Sequence, residues 1–203
     1  MKLSVKKIVL IALYAALFVI LSFYGTIQIA PNIKITMQNF PIYLAGITLG
    51  SISGAVSGFA GMLIHQLLYY GFGPTTLFWV LPQTILGGVV GYLFENGIVK
   101  VNNDIKFYVS VLFLQILITI LNTIVFAIAG MIEGYYNYVL VFGPLVVKLM
   151  LSILTGIVFC ILIPIIVKLV KKIHWSHEQS HKTNVSRGDR TRTCDPLVPN
   201  QVL

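Results

Sequence analysis

The sequence predicts an all-α integral membrane protein with a bundle of six transmembrane helices, and three observations carry that prediction. First, the mean hydropathy is +0.91 and 57% of the residues are hydrophobic, while only 10% are charged. A soluble domain carries about a quarter charged residues because its surface must be wetted. Second, the apolar residues fall in long runs that approach the ~20 residues needed to cross ~30 Å of hydrocarbon. Third, the lysines gather on one side of the alternating connectors, as the positive-inside bias requires. In a soluble chain the net charge of +8 would suggest a nucleic-acid partner. Here its placement explains it, and no nucleic-acid partner is expected.

The first run, 8–24, follows Lys2, Lys6 and Lys7. It reads as a span rather than a cleaved leader, since Phe23, Tyr24, Ile27 and Gln28 leave no small-residue cleavage pattern. In the connector 25–40, Ile33, Ile35 and Met37 alternate with Lys34, Thr36 and Gln38 between Pro31 and Pro41, which reads as extended chain. Residues 41–49 are too few to span alone and read as a short or tilted helix. Gly50-Ser51-Ile52-Ser53-Gly54 then interrupts, and a third segment runs over 55–70. After the Gly71-Phe72-Gly73-Pro74 turn come a fourth segment over 75–94, the polar stretch 95–106 and a fifth over 107–131. The sixth covers 142–170, after the connector 132–141.

Six spans put both termini on one side together with Lys100, Lys106, Lys168, Lys171 and Lys172, and leave Lys34 alone on the other. Both termini are therefore expected in the cytoplasm of a multi-pass plasma-membrane protein.

Small residues recur at helical spacing: Ala12 and Ala16, then Gly54, Ser57, Gly58 and Gly61, then Gly87, Gly88 and Gly91. Lipid supplies no hydrophobic drive for helix pairing, so such stripes mark close helix contacts. The glycines read as internal packing, and the alanine pair as either packing or a contact with a partner subunit.

Polar side chains at membrane depth are costly and face a cavity or a neighbour. With ~1.5 Å rise per residue, His65 and Gln66 lie roughly 8–9 Å below the outer end of the third helix. Gln83 lies roughly 12 Å into the fourth helix, Asn122 in the outer half of the fifth, and Lys148 about 8 Å into the sixth. Their convergence suits a cavity open to the outside, apolar but for a few placed polar groups. Tyr69, Tyr70, Trp79, Tyr135 and Tyr138 lie at similar or shallower levels, where they either stack on a planar heterocycle or form an interfacial belt. Lys148 either snorkels, pairs with Glu133 or meets an anionic ligand group, and His65 has both a helix–helix and a ligand reading.

Glu95, Asp104 and Glu133 fall at helix ends or in connectors, which leaves no mid-membrane carboxylate to carry protons or sodium. No GxxxxGK[ST] loop, HExxH or GxSG pattern occurs, and Cys160 and Cys194 are too differently placed for a metal site or disulfide framework. No catalytic residue, metal or cofactor is expected. The chain reads as a binding module that borrows its energy from partners, with a stand-alone carrier or channel as the alternative and an intramembrane enzyme using His65 as a further one.

Over residues 1–172 the chain resembles the S components of energy-coupling-factor (ECF) vitamin transporters, and most of all the folate-type group. The likeness lies in the start KKIVLIALYAALFVI, the passage IKITMQNFPIYLAGITLGSISGAVSG, the helix LPQTILGGVVGYLF and the end ILNTIVF…KLMLSILTG. It implies a substrate-binding subunit that captures a vitamin-like small molecule outside the cell. The ATP-driven importer would be completed by a membrane coupling subunit, met at Ala12 and Ala16, and two ATPase subunits. It further implies that Gln38, Asn39, Asn122 and Lys148 line the pocket, beside His65, Gln66, Trp79 and Gln83. An anionic or amide-bearing vitamin of folate-like, pantothenate-like or biotin-like chemistry suits Lys148 and Asn122.

The stretch 173–203 changes to polar and charged and is expected to be a disordered tail. Its end, SRGDRTRTCDPLVPNQVL, has a second reading. Thr191-Arg192-Thr193 can be encoded by the complement of the T-loop sequence of transfer RNA genes, and Pro196 to Gln201 by an anticodon-arm complement. The reading frame is expected to run into the opposite strand of a neighbouring tRNA gene. Deleting residues 178–203 should then leave membrane expression and ligand retention at the full-length level; loss of ligand on truncation would sink the idea.

Overall fold

Inside hydrocarbon every backbone N–H and C=O needs an internal partner, so the apolar runs become helices. The computed structural model describes residues 5–30, 33–101 and 105–192, and beyond Val170 the backbone alone. Lys2, Pro31, Asp104, Cys194 and the rest of the tail from Thr193 on lie outside the described residues. The elements in order are α1 (Val5–Tyr24), β1 (Thr26–Ala30), β2 (Ile33–Thr36), α2 (Phe40–Leu49), α3 (Ser51–Tyr69), α4 (Thr76–Glu95), α5 (Ile105–Glu133), α6 (Tyr138–Phe142) and α7 (Leu145–Arg192). The chain divides into two units, Met1–Pro164 and Ile165–Leu203. In the second unit α7 continues as helix to Arg192. All side-chain contacts described below belong to the first.

Among the described residues, five helical segments are long and apolar enough to cross a membrane: Val5–Tyr24, Ser51–Tyr69, Thr76–Glu95, Ile105–Glu133 and Tyr138–Val170. The sixth helix of the bundle, α2, has only ten residues, or ~15 Å. It is apolar on every side, as a helix buried all round should be. Pro41 through Gly46 are all buried. Its start is well formed, with Pro41 in the first turn, where the missing N–H costs nothing.

Two expectations need correction. The interruption expected over five residues is one residue long, because α3 begins at Ser51. Gly50 alone makes the turn, at φ +92°, a conformation open to glycine. The Glu95 carboxylate at the end of α4 accepts the Ser51 N–H at 3.1 Å and so caps α3 from a neighbouring helix. The connector 132–141 also holds structure, the short α6, whose Asn137 Oδ1 accepts from the N–H groups of Val139 and Leu140.

The extended reading of the first connector is met by β2, which pairs antiparallel with β1: Thr26 faces Thr36, Ile27 faces Ile35 and Gln28 faces Lys34. The two threonine hydroxyls bond at 3.0 Å across the pair. The Met37 N–H closes the hairpin base on the Gly25 carbonyl at 3.1 Å.

The glycine stripes pack α2, α3 and α4 backbone against backbone. A Cβ on Gly54 would lie 2.5 Å from the Gly87 carbonyl oxygen and 2.9 Å from the Gly46 Cα. One on Gly87 would strike the Gly54 carbonyl, one on Gly58 the Gln83 carbonyl, and one on Gly91 the Ser51 backbone. Gly61 makes room for the Phe18 ring of α1. Only Gly88 of the predicted stripe is loose, with Ala55 Cβ at 3.6 Å.

These contacts set the outcomes of two substitutions. Gly87→Val should cost about 3 kcal/mol or more, because its side chain meets backbone that cannot yield. Gly88→Ala should be neutral or gain up to about 1 kcal/mol from helix propensity. Thermal unfolding of the purified protein in detergent reads both, and equal losses for the two would refute the packing account.

Candidate ligand-binding site

The register of these contacts fixes the depth at which polar groups meet. Gly46 opposite Gly54 runs α2 antiparallel to α3, so continuing the pairing places Phe40 level with about Ala60. Gly54 opposite Gly87 and Gly58 opposite Gln83 align α4 in the same way. Asn39, Ser57, His65 and Gln83 therefore lie within about two helical turns of one another in depth. The chain enters α2 directly from the hairpin, through Gln38 and Asn39.

All four are buried, and each has a side-chain atom without a hydrogen-bond partner: Asn39 Oδ1, Ser57 Oγ, His65 Nδ1, and both Nε2 and Oε1 of Gln83. Asn39 occupies the N-cap position of α2, yet its side chain caps nothing. An asparagine there ordinarily accepts an N–H from the first turn. An unmet buried polar group costs about 1–3 kcal/mol, so five such atoms within about two helical turns make this region a candidate ligand site.

Above this group the His65 ring contacts Phe23 (centroids 5.5 Å apart) and stacks on Tyr69 (5.9 Å), with Tyr70 edge-on at 6.4 Å. The charge of Lys34, on β2, acts on His65. Desolvation by the surrounding protein lowers the Lys34 pKa below the ordinary lysine value, although the side chain keeps exposed surface.

A second cluster joins α4, α5 and α7. Trp79 meets Phe126 edge-on at 6.3 Å, and the Lys148 ammonium lies 5.5 Å from the centre of the same Phe126 ring. This cation–π contact is worth about 0.5–1 kcal/mol at an exposed site and more when desolvated. Tyr135 closes on Phe126 at 6.1 Å. Its pKa is raised by desolvation and then by the neighbouring Glu133 and Tyr70. Glu133 does not pair with Lys148; its carboxylate accepts the Thr75 hydroxyl at 2.5 Å. Lys148 has no carboxylate partner among the described residues, and Phe126 holds it instead.

Of the residues singled out in the sequence, Asn39, His65 and Gln83 thus fall within about two helical turns in depth, with Gln38 and Gln66 buried beside them in the chain. Trp79 and Lys148 meet through Phe126, and Asn122 lies half-buried one turn from Phe126 on α5. Ala12 and Ala16 are exposed on the face of α1 away from buried Ala15.

Sequence reasoning missed Ser57, hidden among small residues, and Lys34 and Phe126 as neighbours of the candidate residues. It also missed a polar ladder between α5 and α7. Gln115 Nε2 donates to Thr155 Oγ1 at 3.2 Å, Ser152 Oγ donates to the Gln115 carbonyl at 2.8 Å, and the Thr119 and Ser152 hydroxyls are 2.9 Å apart. Buried Tyr43 of α2 reaches the same Gln115 at 3.4 Å. The i, i+4 run Gln115–Thr119–Thr123 was the available signal.

Cations and aromatics beside unmet buried polar groups, in an all-helical membrane bundle, fit a membrane-embedded small-molecule binding protein. The profile of the family described as the S component of ECF-type riboflavin transporters matches residues 2–172. The chain belongs to that family.

It is 37% identical over 141 residues to a UPF0397 protein of Lactobacillus acidophilus, covering 66% of this chain and 72% of that one. To a UPF0397 protein of Clostridium perfringens it is 30% identical over 105 residues, 51% of this chain and only 55% of the relative's length. The fold is that of FolT, seen in a crystal structure bound with folic acid: TM-score 0.62, 17% identity, 79% of this chain and 93% of FolT covered.

The ladder yields a prediction. A double-mutant cycle of Thr119→Val and Ser152→Ala should give a coupling of about 0.6 kcal/mol, and no more than about 1.7. Unfolding of the four proteins measures it, and zero coupling would remove the ladder from the account of the α5–α7 pairing.

Proposed function

We propose that this chain captures a planar, heterocyclic vitamin from outside the cell and delivers it for ATP-driven uptake by a membrane coupling subunit and two ATPase subunits. The observation that carries the reading is the set of unpartnered buried atoms on Asn39, Ser57, His65 and Gln83, together with the cluster of Trp79, Phe126 and Lys148. Gln38, Gln66 and Asn122 complete the ligand-contacting set. The family's description names riboflavin and FolT holds folic acid; both are flat ring systems edged with donors and acceptors. Trp79 and Phe126 supply faces for such a ring, and Lys148 supplies a charge for its anionic or carbonyl-bearing end.

Both termini lie in the cytoplasm on this reading, with the hairpin and Lys148 toward the outside. Exposed Ala12 and Ala16 give α1 a flat face on which a coupling subunit's helix can approach closely. Delivery requires the ligand to be held until that subunit engages.

The test is mass spectrometry of whatever the purified protein releases on denaturation, followed by titration. A stoichiometric vitamin is expected, with affinity falling about 10- to 100-fold in Lys148→Gln and Asn122→Ala, or about 1.4–2.8 kcal/mol each. A protein that arrives empty and binds no vitamin would defeat the reading. Uptake by the chain alone in ATP-free liposomes would replace it with a self-sufficient carrier.

A further inference from the structure

We infer that Ser57 and Gln83 form a deep subsite that reads an amide-type edge of the ligand, such as a lactam, imide, ureide or carboxamide. The inference rests on the substrate-binding reading above and narrows the substrate class. Its basis is the state of two side chains with no exposed surface. Gln83 leaves both its carbonyl oxygen and its amide nitrogen without a partner, and the Ser57 hydroxyl one residue from Gly58 is also unmet. Gly58 lies against the Gln83 backbone, so the two residues flank one contact between α3 and α4.

A primary amide presents a donor and an acceptor side by side. The group that satisfies both at once offers an acceptor and a donor at the same spacing, as a cyclic lactam or imide does and a carboxylate or an ether does not. The serine hydroxyl, able to donate or accept, adapts to the neighbouring ring substituent. Gln115 in α5 is also buried, yet its amide is engaged by Thr155 and Tyr43. Gln115 is thus satisfied within the fold, whereas both amide atoms of Gln83 are unmet. Gly58 brings the α3 backbone against the Gln83 carbonyl, and no protein group hydrogen-bonds the Gln83 side-chain amide. Because neither residue is exposed, the ligand reaches the subsite only when its neighbours give way.

Two measurements on the full-length protein in detergent decide the matter. The first needs no ligand. Gln83→Met and Ser57→Ala remove unmet polar atoms from an apolar interior, so the ligand-free variants should unfold at the wild-type temperature or above it. A lower unfolding temperature for Gln83→Met would overturn the inference, since the amide would then be satisfied by trapped water or by Ser57 as part of the fold.

The second compares riboflavin with its N3-methyl derivative, whose imide donor is blocked. Wild type should prefer riboflavin at least tenfold, and Gln83→Met should bind the two alike. Discrimination that survives in Gln83→Met overturns the inference while leaving the binding function intact. If the released compound is a different vitamin, its N-methylated amide takes the place of the methylated flavin. A released compound with no amide-type edge overturns the inference outright. A wild-type chain that binds no vitamin at all defeats the functional reading and this inference with it.

Discussion

Where Gly54 faces Gly87, two helices meet with nothing between their backbones, and a third, α2, closes on the same glycine through Gly46. In lipid the attraction between helices is largely van der Waals contact, which falls steeply with distance. A methyl group on Gly54 or Gly87 would force the α3 and α4 backbones apart. The separation of α2, α3 and α4 sets where Asn39, Ser57 and Gln83 lie, and so the geometry of any ligand they hold. The bundle's stability and its proposed binding site thus depend on the same few contacts.

The two sides of the bundle treat buried polarity in opposite ways. Between α5 and α7, Gln115, Thr119, Ser152 and Thr155 satisfy one another, which ties the helices together at moderate gain. Around α2, α3 and α4 five buried atoms, on Asn39, Ser57, His65 and Gln83, are left unmet. Natural proteins tolerate such groups at sites of function, where local satisfaction is given up. The contrast separates the two roles better than residue type does, since glutamine and serine occur on both sides.

Much of this was legible in the sequence. Run lengths gave the long spans, because hydrocarbon thickness fixes how many residues a helix needs. The alternation around Lys34 announced extended chain, and the spacing of Gly54, Gly58, Gly87 and Gly91 announced close packing. Polar residues at depth pointed to His65, Gln66, Gln83, Asn122 and Lys148 because such residues are rare in hydrocarbon, and the family resemblance added Gln38 and Asn39. What remained hidden depends on partners. Ser57 reads as one more small residue until its hydroxyl is seen to lack a bond. Nothing local to Phe126 says that it lies beneath the Lys148 ammonium. The Gly50 turn was read too long because serine and glycine in 51–54 are weak helix formers; tight packing against α4 overrides that preference.

The ten residues of α2 bear on how the protein is made. A segment of this length is too short to be held across a bilayer as a separate span. It must enter together with α3, as a helical pair turned at Gly50. Its final neighbours include Val111 and Gln115 of α5, and Phe159 of α7, whose ring lies 5.7 Å from those of both Phe40 and Tyr43. Those residues leave the ribosome long after α2 does. The heart of the bundle therefore cannot close during synthesis of the first four helices, and the chain completes its core only after the last helix has been delivered to the membrane.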